Sequence, residues 1–329
     1  LSISKNLNIV GDGDNAVIDA NNAGRIFYID GVNVNLTNLV FANGNVAGAS
    51  DNRGGAIWAR NTVLNIDDCK FINNTAGPSG SYGGGLNLKA STATVKDSYF
   101  EGNTAYYAGA AINAESGNNL LNVSNCVFTE NAVLNTGWAT GGAICSYGTV
   151  IIDRSTFYGN KLAAGKNGRT INQYGTGSLT ITNSILLDGD KSVYAATPSA
   201  TTVENNWWGN NDTTKDSNPK DLGYTNANVD SYAYLNVTMF AKGLDVGDTS
   251  SVFVNLLPNG DNVLALPDIP ATIAPINGTM DHESTTIKNG VGSAVYTISS
   301  VGNNGVTVDV LGIKETYTLS SSDVISTKV

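Results

Sequence analysis

The chain has 329 residues, of which 41% are hydrophobic and 14% charged, and a formal net charge of −10. This length is enough for two domains that each bury a core. Lys and Arg are not gathered into a basic patch, which excludes sequence-independent nucleic-acid binding. No apolar run is long enough to span a bilayer, so we expect no membrane insertion.

The chain begins at Leu1 within a strand-like pattern and carries no signal peptide. We therefore expect an extracellular, cell-surface fragment whose export signal and anchor lie outside these residues.

An internal repeat dominates the first two thirds of the chain. A large apolar residue recurs every 28 to 30 residues, at Phe41, Phe71, Phe100, Phe128, Phe157 and Leu186. Before each one, apolar and polar residues alternate, as at Leu64 and Ile66, and the alternation then shifts by one residue before Cys69. Alternation of period two indicates a strand with one buried face, and the shift indicates a corner at which Asp67-Asp68 lies in solvent.

Three residues after each of four successive Phe residues stands an Asn. The set is Asn74, Asn103, Asn131 and Asn160. Identical amides stacked along an axis can bond one another, because each carries both donors and an acceptor. The spacing therefore predicts an Asn ladder inside a parallel β-solenoid.

A Gly-rich turn and a third strand complete each repeat. The inward residues of this strand are Ile57, Leu86, Ile112, Ile144 and Ile171. Glycine at the sharp bend supplies a positive φ or a close backbone approach. Three inward strands per repeat, stacked about 4.8 Å apart, predict a right-handed parallel β-helix of about seven rungs.

The repeat stops after this region, and Asn205–Gly209 (Asn-Asn-Trp-Trp-Gly) is predicted to cap its open end, with a ligand platform as the less favoured alternative. From about Ser231, short alternating strands separated by Asn-Gly and Pro-Asn-Gly turns predict an immunoglobulin-like β-sandwich. We thus expect an all-β protein with a β-helix and its cap over residues 1–228 and an immunoglobulin-like domain over residues 229–329.

Two motifs carry a resemblance to a known group of proteins. They are the tetrad Gly-Gly-Ala-Ile at Gly54–Ile57 and Gly141–Ile144, and the motif Phe-x-x-Asn at Phe71–Asn74 and its three successors. The repeat resembles that of chlamydial polymorphic membrane proteins and of adhesin-like surface proteins of methanogenic archaea, and Asn205–Gly209 is more similar to the archaeal group. The resemblance implies a surface protein that contacts other cells through the β-helix, with the sandwich domain as a stalk and no catalytic residues.

The loops between the Asn ladder and the Gly turn are the predicted ligand-binding region. Their candidate residues are Arg53, Tyr82, Tyr106, Tyr107 and Trp138. Loops at the equivalent position of successive rungs project from the same side of the solenoid. Their aromatic side chains would then form one surface suited to sugar rings or to a protein partner. The alternative is that these aromatic residues pack over the flank of the solenoid and only stabilise long loops.

We predict a monomeric adhesin-like protein that binds a glycan or a surface protein of another cell, without a cofactor, a bound metal or a catalytic site. The alternatives are a β-helix polysaccharide lyase or hydrolase and a passive structural spacer. Catalysis on the β-helix is disfavoured because the acidic corner column is interrupted at Ser124-Asn125 and the sole histidine, His282, lies in the second domain. Cys69 and Cys126 are predicted to be buried core residues. Cys145 is predicted to face outward and is the best candidate for a reactive thiol, although a satisfied surface strand position is favoured over reactivity.

Overall fold

The computed structural model describes residues 1–48, 51–77, 80–117, 119–162, 166–209, 218–240, 244–259 and 264–319, and the backbone of 324–326. Within these residues the fold is all-β, with strands, turns and a short 3-10 helix at Pro198–Ala200. The chain divides into two compact units as far as it is described: Leu1–Asn206 with Asn218–Asp230, and Trp207–Ser217 with Ser231–Val329.

The first unit is a parallel β-solenoid of about seven turns, as the repeat predicted, built from three sheets that we call its first, second and third faces. The first face contains Ser2–Ile3, Phe27–Asp30, Ile57–Arg60, Leu86–Lys89, Ile112–Ala114, Ile144–Ser146, Ile171–Gln173 and Val193–Ala195. The second contains Leu7–Val10, Asn33–Thr37, Val63–Asp67, Thr92–Lys96, Leu120–Ser124, Thr149–Asp153, Leu179–Thr182 and Thr201–Glu204. The third contains Ala16–Asp19, Leu39–Ala42, Lys70–Ile72, Tyr99–Glu101, Val127–Thr129, Thr156–Tyr158 and Ile185–Leu186, and the short strand Asn206–Trp207 follows in the chain.

Residues at matching stations of successive rungs lie directly over one another. Phe100 is in register with Phe71 on one side and with Phe128 on the other, and all three side chains are fully buried. The rings of Phe71 and Phe100 stack with their centroids 4.6 Å apart and 2° between their planes. Burial of each such ring contributes about 2–3 kcal/mol to folding, so this column is a main source of stability.

The Asn ladder runs beside the Phe column. The side-chain amide of Asn103 donates to Oδ1 of Asn131 at 2.9 Å, and that of Asn131 donates to Oδ1 of Asn160 at 3.0 Å. Each amide also donates to a Phe carbonyl, as Asn131 does to Phe100 at 2.9 Å. The ladder ends on a carboxylate, because Asp188 accepts from both the backbone and the side chain of Asn160.

The corner between the second and third faces is made by residues in the left-handed conformation. Their φ angles lie between 45° and 57°, at Asn38, Asp68, Asp97, Asn125, Arg154, Asn183 and Asn205. Asn and Asp tolerate this conformation better than other residues with side chains. The polar pairs that interrupt the alternation are therefore explained by backbone geometry as well as by exposure.

Glycine occupies the turn before five of the eight first-face strands, where the backbone requires it. Gly141 has a φ of +60°, and a Cβ atom placed there would lie 2.2 Å from the carbonyl oxygen of Ile144. The equivalent positive-φ glycines are Gly54, Gly83, Gly109 and Gly168.

Two of the three cysteines lie inside the solenoid, as predicted. Cys69 and Cys126 are 1% exposed, and their backbone N–H groups donate to the hydroxyls of Ser98 and Ser155 on the next rung. Burial raises the pKa of the Cys69 thiol to about 11 and that of Cys126 to about 12. Both thiols are therefore neutral core groups.

The second unit is built mainly from antiparallel strands. One of its sheets pairs Tyr232–Met239, Thr249–Pro258, Val291–Ile298 and Gly278–Met280 in that order. A second sheet pairs Ser284–Ile287, Ile269–Ile276, Gly305–Val310 and Ile313–Thr318. The strands Leu244–Asp245 and Val324–Ser326 pair in parallel.

The strand Ile269–Ile276 was not predicted from the sequence, and it contains Pro270 and Pro275, which disfavour a paired strand. It pairs with Ser284–Ile287 only through its first half and with Gly305–Val310 only through its second. Each proline therefore lies where a single neighbour is paired, which accommodates its missing N–H. Trp207 and Trp208, the predicted cap, are buried and group with this unit, and their capping role stays a prediction.

A candidate ligand-binding groove on the solenoid

A groove with a volume of about 680 Å³ lies over the first face of the solenoid. It is lined by Arg53, Tyr82, Tyr107, Ala108, Asn113, Glu115, Ser116, Asn135, Gly137, Trp138, Thr140, Cys145, Tyr147 and Tyr174. These residues come from five successive rungs, so at about 4.8 Å per rung the groove extends for roughly 19 Å along the solenoid axis.

One wall is formed by the loops that precede the Gly turns. Arg53, Tyr82, Ala108 and Thr140 are joined by successive parallel bridges, which form a short ladder beside the first face. The ring of Tyr107 lies 5.8 Å from that of Tyr82. Burial raises the pKa of the Tyr82 hydroxyl, so this group remains a hydrogen-bond donor well above neutral pH.

A small apolar cluster of buried residues lies at this loop side of the solenoid. It consists of Val46, Ala76, Ala105, Ala110, Val133, Ala139 and Leu162. Most of these stand two residues after a ladder position, as Val133 does after Asn131, so the loops leave the solenoid from a packed base. A packed base holds the aromatic wall in place before any ligand arrives, which lowers the entropy cost of binding.

The opposite wall consists of residues that follow the first-face strands. Glu115, Tyr147 and Tyr174 each stand three residues after an inward isoleucine of the first face. The Tyr147 and Tyr174 rings lie 5.1 Å apart at a steep angle, and the residues are 41% and 42% exposed. These residues were missed in the sequence analysis, although alignment on Ile112, Ile144 and Ile171 places them at one station.

The floor of the groove is the outward column of the first face. Asn113 and Cys145 are in register on neighbouring strands, and both line the groove although they are only 2% and 1% exposed. Cys145 was expected to face outward at the surface; its outward direction is confirmed, but its expected exposure is wrong. The loops cover its sulfur, which lies 3.4 Å from the Thr140 hydroxyl, and burial raises its pKa to about 11.

A hydrogen-bond network neutralises the charges of the groove. Arg53 donates through Nε to Oε1 of Glu115, and its Nη1 lies 3.7 Å from a carboxylate oxygen of Asp51. The side-chain amide of Asn87 also donates to Glu115, at 3.0 Å, and accepts from Asn113 at 2.8 Å. Among the lining residues Arg53 and Glu115 alone carry charge, and they are paired with each other.

Trp138 is the most exposed aromatic side chain of the groove, at 73%. Its loop is shaped by Asn135, whose Oδ1 accepts from the backbone N–H of Gly137 at 2.6 Å and of Trp138 at 2.8 Å. This turn presents the indole towards solvent at the rim.

The structure brings together four of the five residues predicted for ligand binding: Arg53, Tyr82, Tyr107 and Trp138 all line the groove. Tyr106 is not among the lining residues, and its ring instead packs edge-on against that of Tyr107 at 4.8 Å.

Within the described residues, no group of three or more His, Cys, Asp or Glu side chains is placed to hold a metal ion. In the same residues, no helix has the length and apolar character needed to cross a membrane. His282 lies in the second unit, where its ring contacts Asp281 at 2.9 Å.

No protein-family profile, curated protein or solved structure matches the chain.

Proposed function

We propose that this chain is the binding region of a cell-surface, adhesin-like protein that attaches to another cell or surface through a ligand held in the groove. The single observation that carries the proposal is the concentration of exposed aromatic side chains there. Trp138, Tyr147 and Tyr174 are all exposed and all line it. Exposed aromatic residues gathered over one concave surface are typical of a binding site.

The finer features of the fold belong to the same proposal. A right-handed winding of the solenoid is supported by the strong preference of parallel crossover connections for that hand. An immunoglobulin-like second unit, acting as a stalk, is supported by two mainly antiparallel sheets with strands that alternate buried and exposed residues, as in Thr249–Pro258. The adhesin-like proteins of methanogenic archaea are the group that we propose for the chain.

A polysaccharide-cleaving enzyme is the second candidate, because grooves on parallel β-helices also serve catalysis. Hydrolysis of a glycosidic bond by the usual routes needs two carboxyl groups placed on either side of the bond. The lining of this groove contains one carboxylate, Glu115, which is paired with Arg53. This composition favours binding without cleavage. A passive spacer, the third candidate, would have no need of an exposed aromatic groove.

The proposal is tested by attachment of the purified chain to cells and to surfaces coated with their polymers. The double variant Trp138→Ala/Tyr174→Ala should lose attachment by about tenfold or more, because buried aromatic contacts dominate binding energy. Phe240→Ala is the matched control, since Phe240 is 79% exposed and lies outside the groove. Equal attachment of the wild type and the double variant, with unchanged melting temperatures, would reject the groove as the binding site.

A further inference from the structure

We infer that the groove binds an uncharged, extended oligosaccharide chain that lies along the solenoid axis. This inference rests on the proposed function and specifies the ligand class of the same site.

The first observation is the distribution of exposed aromatic rings. In the described part of the chain, the large apolar side chains that are exposed include four aromatic ones, Trp138, Tyr147, Tyr174 and Phe240. Three of the four line the groove and lie on both of its sides. The face of an aromatic ring carries partial negative charge, so it attracts the weakly positive C–H groups on the face of a sugar ring.

The second observation is the cancellation of charge. The guanidinium of Arg53 is engaged by Glu115 and lies near Asp51, and these contacts leave no unpaired cation among the lining residues for a polyanion. Glu115 is in turn held by Arg53 and Asn87, so it does not offer a free carboxylate to a cationic ligand. A polyanion that displaced Glu115 from Arg53 would leave the Glu115 carboxylate without its cation, and a polycation that displaced Arg53 would leave the guanidinium without this carboxylate. Leaving a largely buried charge without its partner is unfavourable.

The third observation is the shape of the groove together with its polar groups. The groove has a volume of about 680 Å³ and its lining residues come from five rungs, which gives room for more than one sugar unit. Amide and hydroxyl groups at Asn113, Ser116 and Thr140 line it, and they match the mixed donors and acceptors of sugar hydroxyls. A peptide strand could not add to the first face here, because the strands beneath the groove are paired on both sides.

The first test measures binding of the full chain to a panel of purified polymers by affinity electrophoresis and calorimetry. The panel contains neutral polysaccharides (mannan, xylan and a soluble β-glucan), an acidic one (polygalacturonate) and a proline-rich peptide. We expect binding to at least one neutral polysaccharide, with a Kd that changes less than about twofold between low and high salt, because uncharged partners are not screened. We expect no binding of polygalacturonate or of the peptide.

The second test converts the specificity. Glu115→Gln keeps an acceptor for Asn87 but removes the charge that neutralises Arg53. The affinity of this variant for polygalacturonate should therefore exceed that of the wild type by about tenfold or more. The matched control, Arg53→Gln/Glu115→Gln, restores neutrality and should not show this increase. Trp138→Ala should lose binding of the neutral polymer, and Phe240→Ala should keep it. Circular dichroism establishes that each variant is folded.

The outcomes separate the ligand class from the function. Salt-sensitive binding of polygalacturonate by the wild type, or binding of the proline-rich peptide in the groove, overturns the inference. Failure to bind any neutral polysaccharide while Trp138-dependent attachment to cells persists also overturns it but leaves the adhesin-like function standing. If the chain binds no neutral polysaccharide and also shows no Trp138-dependent attachment to cells, the proposed function is rejected as well.

Discussion

The solenoid and the second unit satisfy their buried polar side chains in two different ways. In the solenoid, Asn131 is bonded by copies of itself, Asn103 and Asn160, on the neighbouring rungs. In the second unit, the equally buried Asn304 is bonded by unlike groups: its amide donates to the carbonyls of Ser300 and Gly302, and its Oδ1 accepts from the Tyr296 hydroxyl. In a repeated backbone, copies of one side chain can therefore satisfy one another, whereas the non-repeating antiparallel unit needs a different partner for each buried polar atom.

The largest expected difference between the units is the cost of removing these amides. Asn131→Ala leaves the backbone N–H and one side-chain N–H of Asn103 without an acceptor inside the core and removes one donor from the Phe100 carbonyl, and it should cost about 4 kcal/mol. Asn304→Ala should cost about 2 kcal/mol, because Ser300 and Gly302 are exposed and their carbonyls can turn to water. Guanidinium unfolding followed by circular dichroism measures both. Equal losses would contradict the comparison.

Glycine substitutions sharpen the same comparison. Gly141→Ala meets a positive φ and a backbone oxygen 2.2 Å from the new Cβ, and should destabilise the solenoid by about 3 kcal/mol. Gly247→Ala in the second unit also has a positive φ, of +92°, but no atom within 4 Å, and should cost about 1–2 kcal/mol. Thermal unfolding of the two variants tests the difference, and an equal effect would mean that the close approach at Gly141 relaxes freely.

A smaller effect is expected at the end of the ladder. Burial raises the pKa of the Asp188 carboxyl, so its contribution to stability is greatest below the ordinary pKa of Asp, about 4, and falls as pH rises through the raised folded value. Asp188→Asn removes the charge and can continue the ladder. The melting temperature of this variant relative to the wild type should increase from about pH 4 towards neutral pH. A difference that does not change with pH would show that Asp188 ionises without cost.

The smallest expected signal is the reactivity of the thiols in the native protein. The three cysteines are free and buried in the solenoid, and their pKa values are raised to about 11 or 12. None should be alkylated at pH 8 until the solenoid opens, since the thiolate is the reactive form. Because all three lie in one unit, the labelling rate in denaturant reports on the solenoid alone. Rapid labelling of native protein at Cys145 would contradict the cover provided by its loops.

Much of the solenoid was predictable because the same pattern of apolar, Phe and Asn positions recurs in several repeats. One Phe and one Asn per repeat, as at Phe100 and Asn103, locate two columns whose partners are then known by alignment. In the second unit the alternation located strands such as Val291–Ile298, but no repeat indicates which strand pairs with which. The strand Ile269–Ile276 was missed because its pairing depends on tertiary context. Its first half pairs with one strand and its second half with another, and this arrangement tolerates two prolines.

The groove was predictable on one side only. The loop wall carries a run of aromatic residues that is evident in the sequence, whereas Glu115, Tyr147 and Tyr174 occupy one station with different residue types. Period two correctly assigned Cys145 to the outward column, but a period does not tell whether a loop folds back over that column. The cover is a property of loop length and packing, which differ from rung to rung.

The strands of each rung pair with those of the rung above and the rung below, and the loops that wall the groove leave and rejoin the rungs at the same two positions. A longer or shorter loop can therefore be inserted in one coil without disturbing the register of the others. Such an arrangement allows the recognition surface to diversify in small, separate steps during evolution, while the scaffold beneath it remains unchanged.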